Sequence, residues 1–272
     1  MKLFVYGTLM HGFNLHFYLK KYPFLGRAII KGYDLYDLEF FPAIVPGSGI
    51  VHGEVYEVDE RLMDTLDSVE GVDRENPSAG LYIKEETFAF FGDYKEKVII
   101  YVYNRDLPKD SKLIESGDYT FKKERTGKIN YFAYGSDIYT RRMKERSIEI
   151  LAKYPAFLKD YKLTFNKRCM DNCCANIEKS EGDIVYGALY EILYPDIKQL
   201  DMHEKVPVHY RRITVRIFLK NGRYVYAETY TASDEFKVPE CPPNPAYLRF
   251  MLIGLREIGW LEECERLKRI YE

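Results

Sequence analysis

A carboxylate held in a cleft can take a proton as a general base and return it as a general acid. Two glutamates of this chain recur in one local setting. Glu70 follows Leu66-Asp67, and Glu204 follows Leu200-Asp201 at the same spacing, while the residues between change from Ser68-Val69 to Met202-His203. A single Glu of this kind is ordinarily a solvated residue at a helix end. Its return at the matching place in a diverged copy makes it a candidate acid/base. A second recurrence lies earlier in each half, where Tyr6-Gly7-Thr8 and Tyr134-Gly135-Ser136 follow short apolar strands. The Gly lets a backbone approach a ligand closely. Thr8 or Ser136 as the N-cap of a following helix would leave backbone N–H groups facing an anion, a carboxylate or phosphate. A plain capped turn is the alternative for either copy taken alone.

The elements that position these residues are themselves duplicated. Phe4–Thr8 matches Phe132–Ser136, and Ala28–Leu35 matches Ala156–Leu163 at the same shift along the chain. Gly53–Val58 then matches Gly187–Ile192, followed by the Leu-Asp-x-x-Glu segments and by Leu81-Tyr82 with His209-Tyr210. Five segments in one order identify a tandem duplication. The join lies in the charged stretch near 105–128, so the expected domains are 1–122 and 128–272. Strands are expected at 2–6, 50–58, 98–103, 130–134, 184–192, 212–219 and 224–231, with Asn221-Gly222 as a hairpin turn. Helices are expected at 60–68, 137–146 and 194–203. From Pro245 onward apolar residues recur at helical spacing, predicting a core-facing C-terminal helix that the first copy lacks. Strands outnumber helices, so the fold class is α+β, with mixed, barrel-like domains rather than a doubly wound sheet.

Composition bounds the function. The 272 residues carry 40 Lys+Arg against 42 Asp+Glu, a formal charge of −2, with 46% hydrophobic and 30% charged residues. That mixture is globular. It lacks the basic excess of a nucleic-acid footprint, and no apolar run has the length of a membrane span. The five cysteines, Cys169, Cys173, Cys174, Cys241 and Cys264, do not read as a disulfide scaffold, so reduced thiols and a cytoplasmic location are expected. Cys169-x3-Cys173-Cys174 has no partner pair at zinc-site spacing, and His203-Glu204 with His209 is not a metalloprotease motif. The Arg141–Arg146 run is expected to be a solvated helix face.

The motifs Phe4-Val5-Tyr6-Gly7-Thr8-Leu9-Met10 and Leu66-Asp67-Ser68-Val69-Glu70-Gly71-Val72 resemble the γ-glutamylcyclotransferase-like (AIG2-like, BtrG-like) family. In the second copy Tyr131–Ser136, Leu200–Glu204 and Pro242–Tyr247 carry the same resemblance, so that it spans nearly the whole chain as two tandem γ-glutamylcyclotransferase-like mixed β-barrel domains. It implies intramolecular aminolysis of a small γ-glutamyl compound. The substrate's own amine attacks its γ-carbonyl, giving 5-oxoproline and a free amine or amino acid, with no metal or organic cofactor. Glu70 and Glu204 match the family's catalytic acid/base. Tyr6, Gly7, Thr8 and Leu9, and Tyr131, Phe132, Ala133, Tyr134, Gly135 and Ser136, match its substrate-binding loop. Tyr82, Tyr210 and Tyr247 match pocket aromatics, although with 25 tyrosines in the chain most must be packing residues. Two departures stand out in the second copy: Asp137, where the family usually has Asn, and Lys205 in place of Gly71. An acid at Asp137 would repel a carboxylate if it faced inward. The alternative reading is a non-catalytic small-molecule-binding tandem module of the same fold.

Overall fold

The computed structural model describes residues 1–169 and 172–271 and divides into two compact units, Met1–Lys128 and Ile129–Glu272. In the first unit β1 (Lys2–Val5), β2 (Phe24–Asp37), β3 (Pro42–Glu57), β4 (Tyr82–Phe91) and β5 (Tyr94–Tyr103) lie in the order β3-β1-β5-β4-β2. A further β2–β3 pairing closes the ring, and the short β6 (Lys112–Leu113) lies beside β2. β1 runs parallel to β5 and antiparallel to β3, so this barrel is mixed.

The second unit repeats the plan. Its strands β7 (Lys128–Ala133), β8 (Ile150–Cys169), β9 (Asn172–Leu193), β10 (Tyr210–Leu219) and β11 (Tyr224–Ala232) form a closed barrel in the order β10-β11-β7-β9-β8. β7 is parallel to β11. Closure removes the open strand edges that would otherwise invite aggregation.

One glycine in each unit fixes how tightly the barrel closes. A Cβ on Gly53 would collide with the carbonyl oxygen of Val5 and the ring of Phe4; a Cβ on Gly187 would collide with the Ala133 carbonyl and the ring of Phe132. Both glycines sit where a neighbouring strand runs against backbone, which cannot yield as a flexible side chain can. Gly187→Ala is therefore expected to lower stability by about 1–3 kcal/mol, read from urea unfolding of the full chain. An unchanged midpoint would contradict this packing.

The expected helix at 60–68 is α1 (Glu60–Val69), capped by Asp59, whose side chain accepts from Leu62 N–H at 2.8 Å. Leu62, Met63 and Leu66 form its buried face. Its counterpart α3 (Ile197–His203) buries Ile197 and Leu200 behind a short 3-10 turn at Tyr194–Asp196.

Three expectations need correction. The 137–146 helix is a 3-10 turn (Ser136–Ile138) followed by the six-residue α2 (Thr140–Glu145). The C-terminal helix is two helices, α4 (Pro245–Glu257) and α5 (Leu261–Tyr271), broken where Gly259 takes a φ of 76°. The cysteines are not all thiols: Cys169 is bonded to Cys174 and Cys173 to Cys241, leaving Cys264 buried and free. The pairing was invisible because Cys241 lies far along the chain and comes beside β9 only when the segment before α4 packs there. No described helix is long and apolar enough to cross a membrane.

Candidate active site

In each unit the acidic residue sits where its helix stops. Glu70 caps the C-terminus of α1, its N–H donating to Leu66 O, and the chain reverses through Gly71 at a φ of 66°. Glu204 does the same after α3, with Lys205 at a φ of 53°. Lys205 thus takes a left-handed conformation that glycine adopts without strain.

The Asp of each Leu-Asp pair is the anchor. Asp67 accepts from Tyr101 Oη at 2.9 Å and Lys84 Nζ at 2.7 Å, and also from Arg74. Tyr6 Oη in turn donates to the Tyr101 carbonyl at 2.7 Å. The second unit reproduces this relay: Tyr134 Oη donates to the Tyr230 carbonyl at 2.7 Å, Tyr230 Oη donates to Asp201 at 3.0 Å, and Arg212 donates to Asp201 at 2.6 Å. Opening loop, barrel strand and helix end are thereby pinned to one another. The repeated Leu-Asp dipeptide was the sequence signal for these anchors.

The first unit encloses a cavity of about 150 Å³ lined by Tyr6, Gly7, Thr8, Leu9, Glu70 and Tyr82, together with Pro42 and Tyr101. All the expected first-copy site residues meet there. The Tyr6 and Tyr82 hydroxyls are committed to backbone carbonyls, Tyr82 Oη donating to Pro42 O at 2.8 Å, so they wall the cavity and leave Glu70 unengaged. Among the described residues the Glu70 carboxylate has neither a hydrogen bond nor an ion pair. Burial alone pushes it up from 4.5 to about 7. Thr8 caps no helix, because the loop runs on as turns to a 3-10 segment at His16–Tyr18. The anion site expected at a helix N-terminus is therefore a turn, whose Gly7, Thr8 and Leu9 N–H groups donate to no other described backbone group.

The second cavity is larger, about 470 Å³, and charged. Tyr131, Tyr134, Gly135, Ser136, Glu204, Tyr210 and Tyr247 line it. Phe132 and Ala133 do not: both are fully buried in the core on β7, while the neighbouring Tyr131 lines the cavity. Tyr210 repeats the role of Tyr82, donating to the Ala175 carbonyl at 2.9 Å. Tyr247 Oη accepts from Ala175 N–H at 3.3 Å and fills the space a Cβ on Gly135 would need.

Asp137 stands where the first copy has Leu9, and it does face inward, buried. Arg146 answers it. Its guanidinium lies 3.1 Å from Asp137 and 2.7 Å from Glu204, itself largely buried. Burial and the Glu204 charge push Asp137 up against the opposing pull of Arg146. The basic run is thus not merely a solvated face. Arg146 is a site residue that the sequence analysis missed, and the inward acid was the signal that a buried cation must exist. Lys167, Arg168 and His209 also line this cavity. Burial pushes Lys167 down.

A family model described as γ-glutamyl cyclotransferase, AIG2-like, matches residues 3–121, and an AIG2-like family model matches residues 184–263. The Escherichia coli γ-glutamylcyclotransferase family protein YtfP is 37% identical over 120 residues, 44% of this chain and 96% of that protein. The chain belongs to the γ-glutamylcyclotransferase family. The human protein named γ-glutamylcyclotransferase is 30% identical over 158 residues, 52% of this chain and 77% of its own length. Among solved structures, Bacillus subtilis YkqA aligns with 99% of this chain and 97% of its own, at 27% identity and a TM-score of 0.49. Two family-type cavities in one chain therefore differ in character: one is small with a solitary acid, the other is wide with an arginine bridging two acids.

Proposed function

We propose that the first unit is a γ-glutamylcyclotransferase acting on a small γ-glutamyl compound, with Glu70 as its acid/base and 5-oxoproline as product. The carrying observation is that the unpaired Glu70 carboxylate shares one cavity with the free N–H groups of the Tyr6–Leu9 loop. Those amides hold the substrate's α-carboxylate and so fix the curled conformer in which the amine meets its own γ-carbonyl. Intramolecular closure depends on such near-attack geometry. Glu70 takes a proton from the α-ammonium, the nitrogen attacks, and the same carboxyl returns a proton to the leaving amine. A carboxyl titrating near 7 suits both directions of transfer at neutral pH. Leu9, where the second unit has Asp137, leaves the anion site of the first unit free of a repelling charge.

Glu204 is the corresponding candidate in the second unit, but Arg146 engages its Oε1. The first unit is accordingly assigned the larger share of turnover. The test is to supply the full chain with γ-glutamyl dipeptides and γ-glutamyl amines and measure 5-oxoproline. Product is expected to survive Glu204→Gln at near the parent rate and to vanish when Glu70→Gln is added. Product formation by the double variant would remove the mechanism. Ligand binding without turnover by the parent chain would favour the binding-module reading.

A further inference from the structure

The second cavity carries a chemical group that acid/base cyclisation does not use. Cys169 and Cys174 both line its wall and are joined as a disulfide, and both are partly accessible. They sit at the end of the β8–β9 hairpin, where Lys167 pairs with Cys174 in register and lies two residues before Cys169. Lys167 Nζ is 3.5 Å from Cys169 Sγ. The other disulfide is placed differently: Cys173 is buried, and neither it nor Cys241 lines the cavity. The cavity mouth also carries cations beyond those Arg146 supplies to its two acids. Arg168 and Lys205 line it, and neither makes an ion pair among the described residues. The first unit has no cysteine at all.

We propose that the second cavity binds a low-molecular-weight thiol bearing an anionic group and undergoes thiol–disulfide exchange with it at Cys174. This does not depend on cyclisation in the first unit. The ligand thiol loses its proton to solvent, because the thiolate is the nucleophile. Its sulfur attacks Cys174 Sγ, the Cys169–Cys174 bond breaks, and the electron pair leaves on Cys169 Sγ. Cys174 then carries the ligand as a mixed disulfide: the ligand sulfur has been oxidised and Cys169 reduced, with no outside oxidant. Lys167 sets the direction of cleavage, since a cation beside one sulfur makes it the better leaving group. Arg168 and Lys205 hold the ligand's anionic group. Cys174 precedes Ala175, whose N–H and C=O bond Tyr247 and Tyr210, so the adduct forms beside the aromatic wall facing Glu204.

The experiment uses the air-equilibrated full chain with 2-mercaptoethanesulfonate, an anionic thiol, and cysteamine, a cationic one. Reactions are quenched at intervals with excess N-ethylmaleimide and read by peptide mass spectrometry. The expected result is a mercaptoethanesulfonate adduct on Cys174, maleimide on Cys169, an intact Cys173–Cys241 bond, and a rate about tenfold above that of cysteamine. Lys167→Met is expected to slow adduct formation about tenfold, with Lys167→Arg restoring it. Recovery of Cys169 and Cys174 as free thiols before any thiol is added overturns the proposal. So does equal reaction at both disulfides, or a cysteamine rate as high as that of the sulfonate. Should Lys167→Met fail to fold, the comparison of the two thiols on the unaltered chain decides.

Discussion

Glu70→Gln is expected to reduce kcat/KM for 5-oxoproline formation by about 10²–10⁴-fold, the usual worth of a positioned acid/base. The amide keeps the shape of the side chain, so the cavity formed by Tyr6, Pro42 and Tyr82 stays intact and the loss is chemical. The parent enzyme supplies the matching pH signature. The base form of Glu70 is needed to take up the substrate's proton, so kcat/KM should rise with pH through about 7, the value to which burial lifts this carboxyl. Stability runs the other way. A carboxyl whose pKa is higher folded than unfolded favours the fold fully below its unfolded value, near 4.5, and that benefit is lost as pH rises to about 7. Glu70→Gln removes this slope. At pH 8 the variant is therefore expected to be more stable than the parent, by about 1–3 kcal/mol, while being inactive. Thermal unfolding at pH 4.5 and pH 8, beside the rate profile, checks both signs. A variant that loses activity and stability together at pH 8 would point to a structural role for Glu70 instead.

Arg146→Met should produce the largest change in stability in the second unit. Arg146 holds two acids, Asp137 at 3.1 Å and Glu204 at 2.7 Å, with Asp137 only 4% exposed. Removing the cation leaves a buried carboxylate beside a second one, and breaking such a pair from one side costs about 3–5 kcal/mol. The cost is expected to shrink as pH falls toward 5, because protonation neutralises a carboxyl that burial, and after it the Glu204 charge, already pushes up. Adding Asp137→Asn to Arg146→Met should recover most of the loss, since the charge that needed compensation is gone. Denaturant unfolding of the two variants at pH 8 and pH 5 gives the answer. A pH-independent loss, or no rescue by Asp137→Asn, would mean that Arg146 acts through packing of its stem rather than its charge.

These two residues mark where sequence reasoning reaches and where it stops. The duplication, the strands that carry Tyr6 and Tyr134, and the helix ends that carry Glu70 and Glu204 are all local. The helical step of three or four residues from Leu62 and Met63 puts Leu66 in the core, and the helix end one turn later leaves Glu70 at the terminus. Local alternation reports which face is buried and so located parts of seven barrel strands, but it missed β2, β4 and β8, which were not expected from the sequence. It overreached at the opening loop, where Thr8 and Ser136 look like helix caps but cap nothing.

What the two cavities contain was decided by distant contacts. Arg146, an arginine in a run of charge, becomes a site residue only when the end of α2 packs against Asp137 and Glu204. Cys173 finds Cys241 only when the segment before α4 folds back onto β9. Tyr131 lines a cavity while Phe132 and Ala133 fill the core, a division that depends on what packs around β7 in the closed barrel. Sequence fixes which residues recur, since spacing along the chain dictates the face of an element. Burial and charge compensation belong to the folded chain, because they depend on which remote groups share a low-dielectric space.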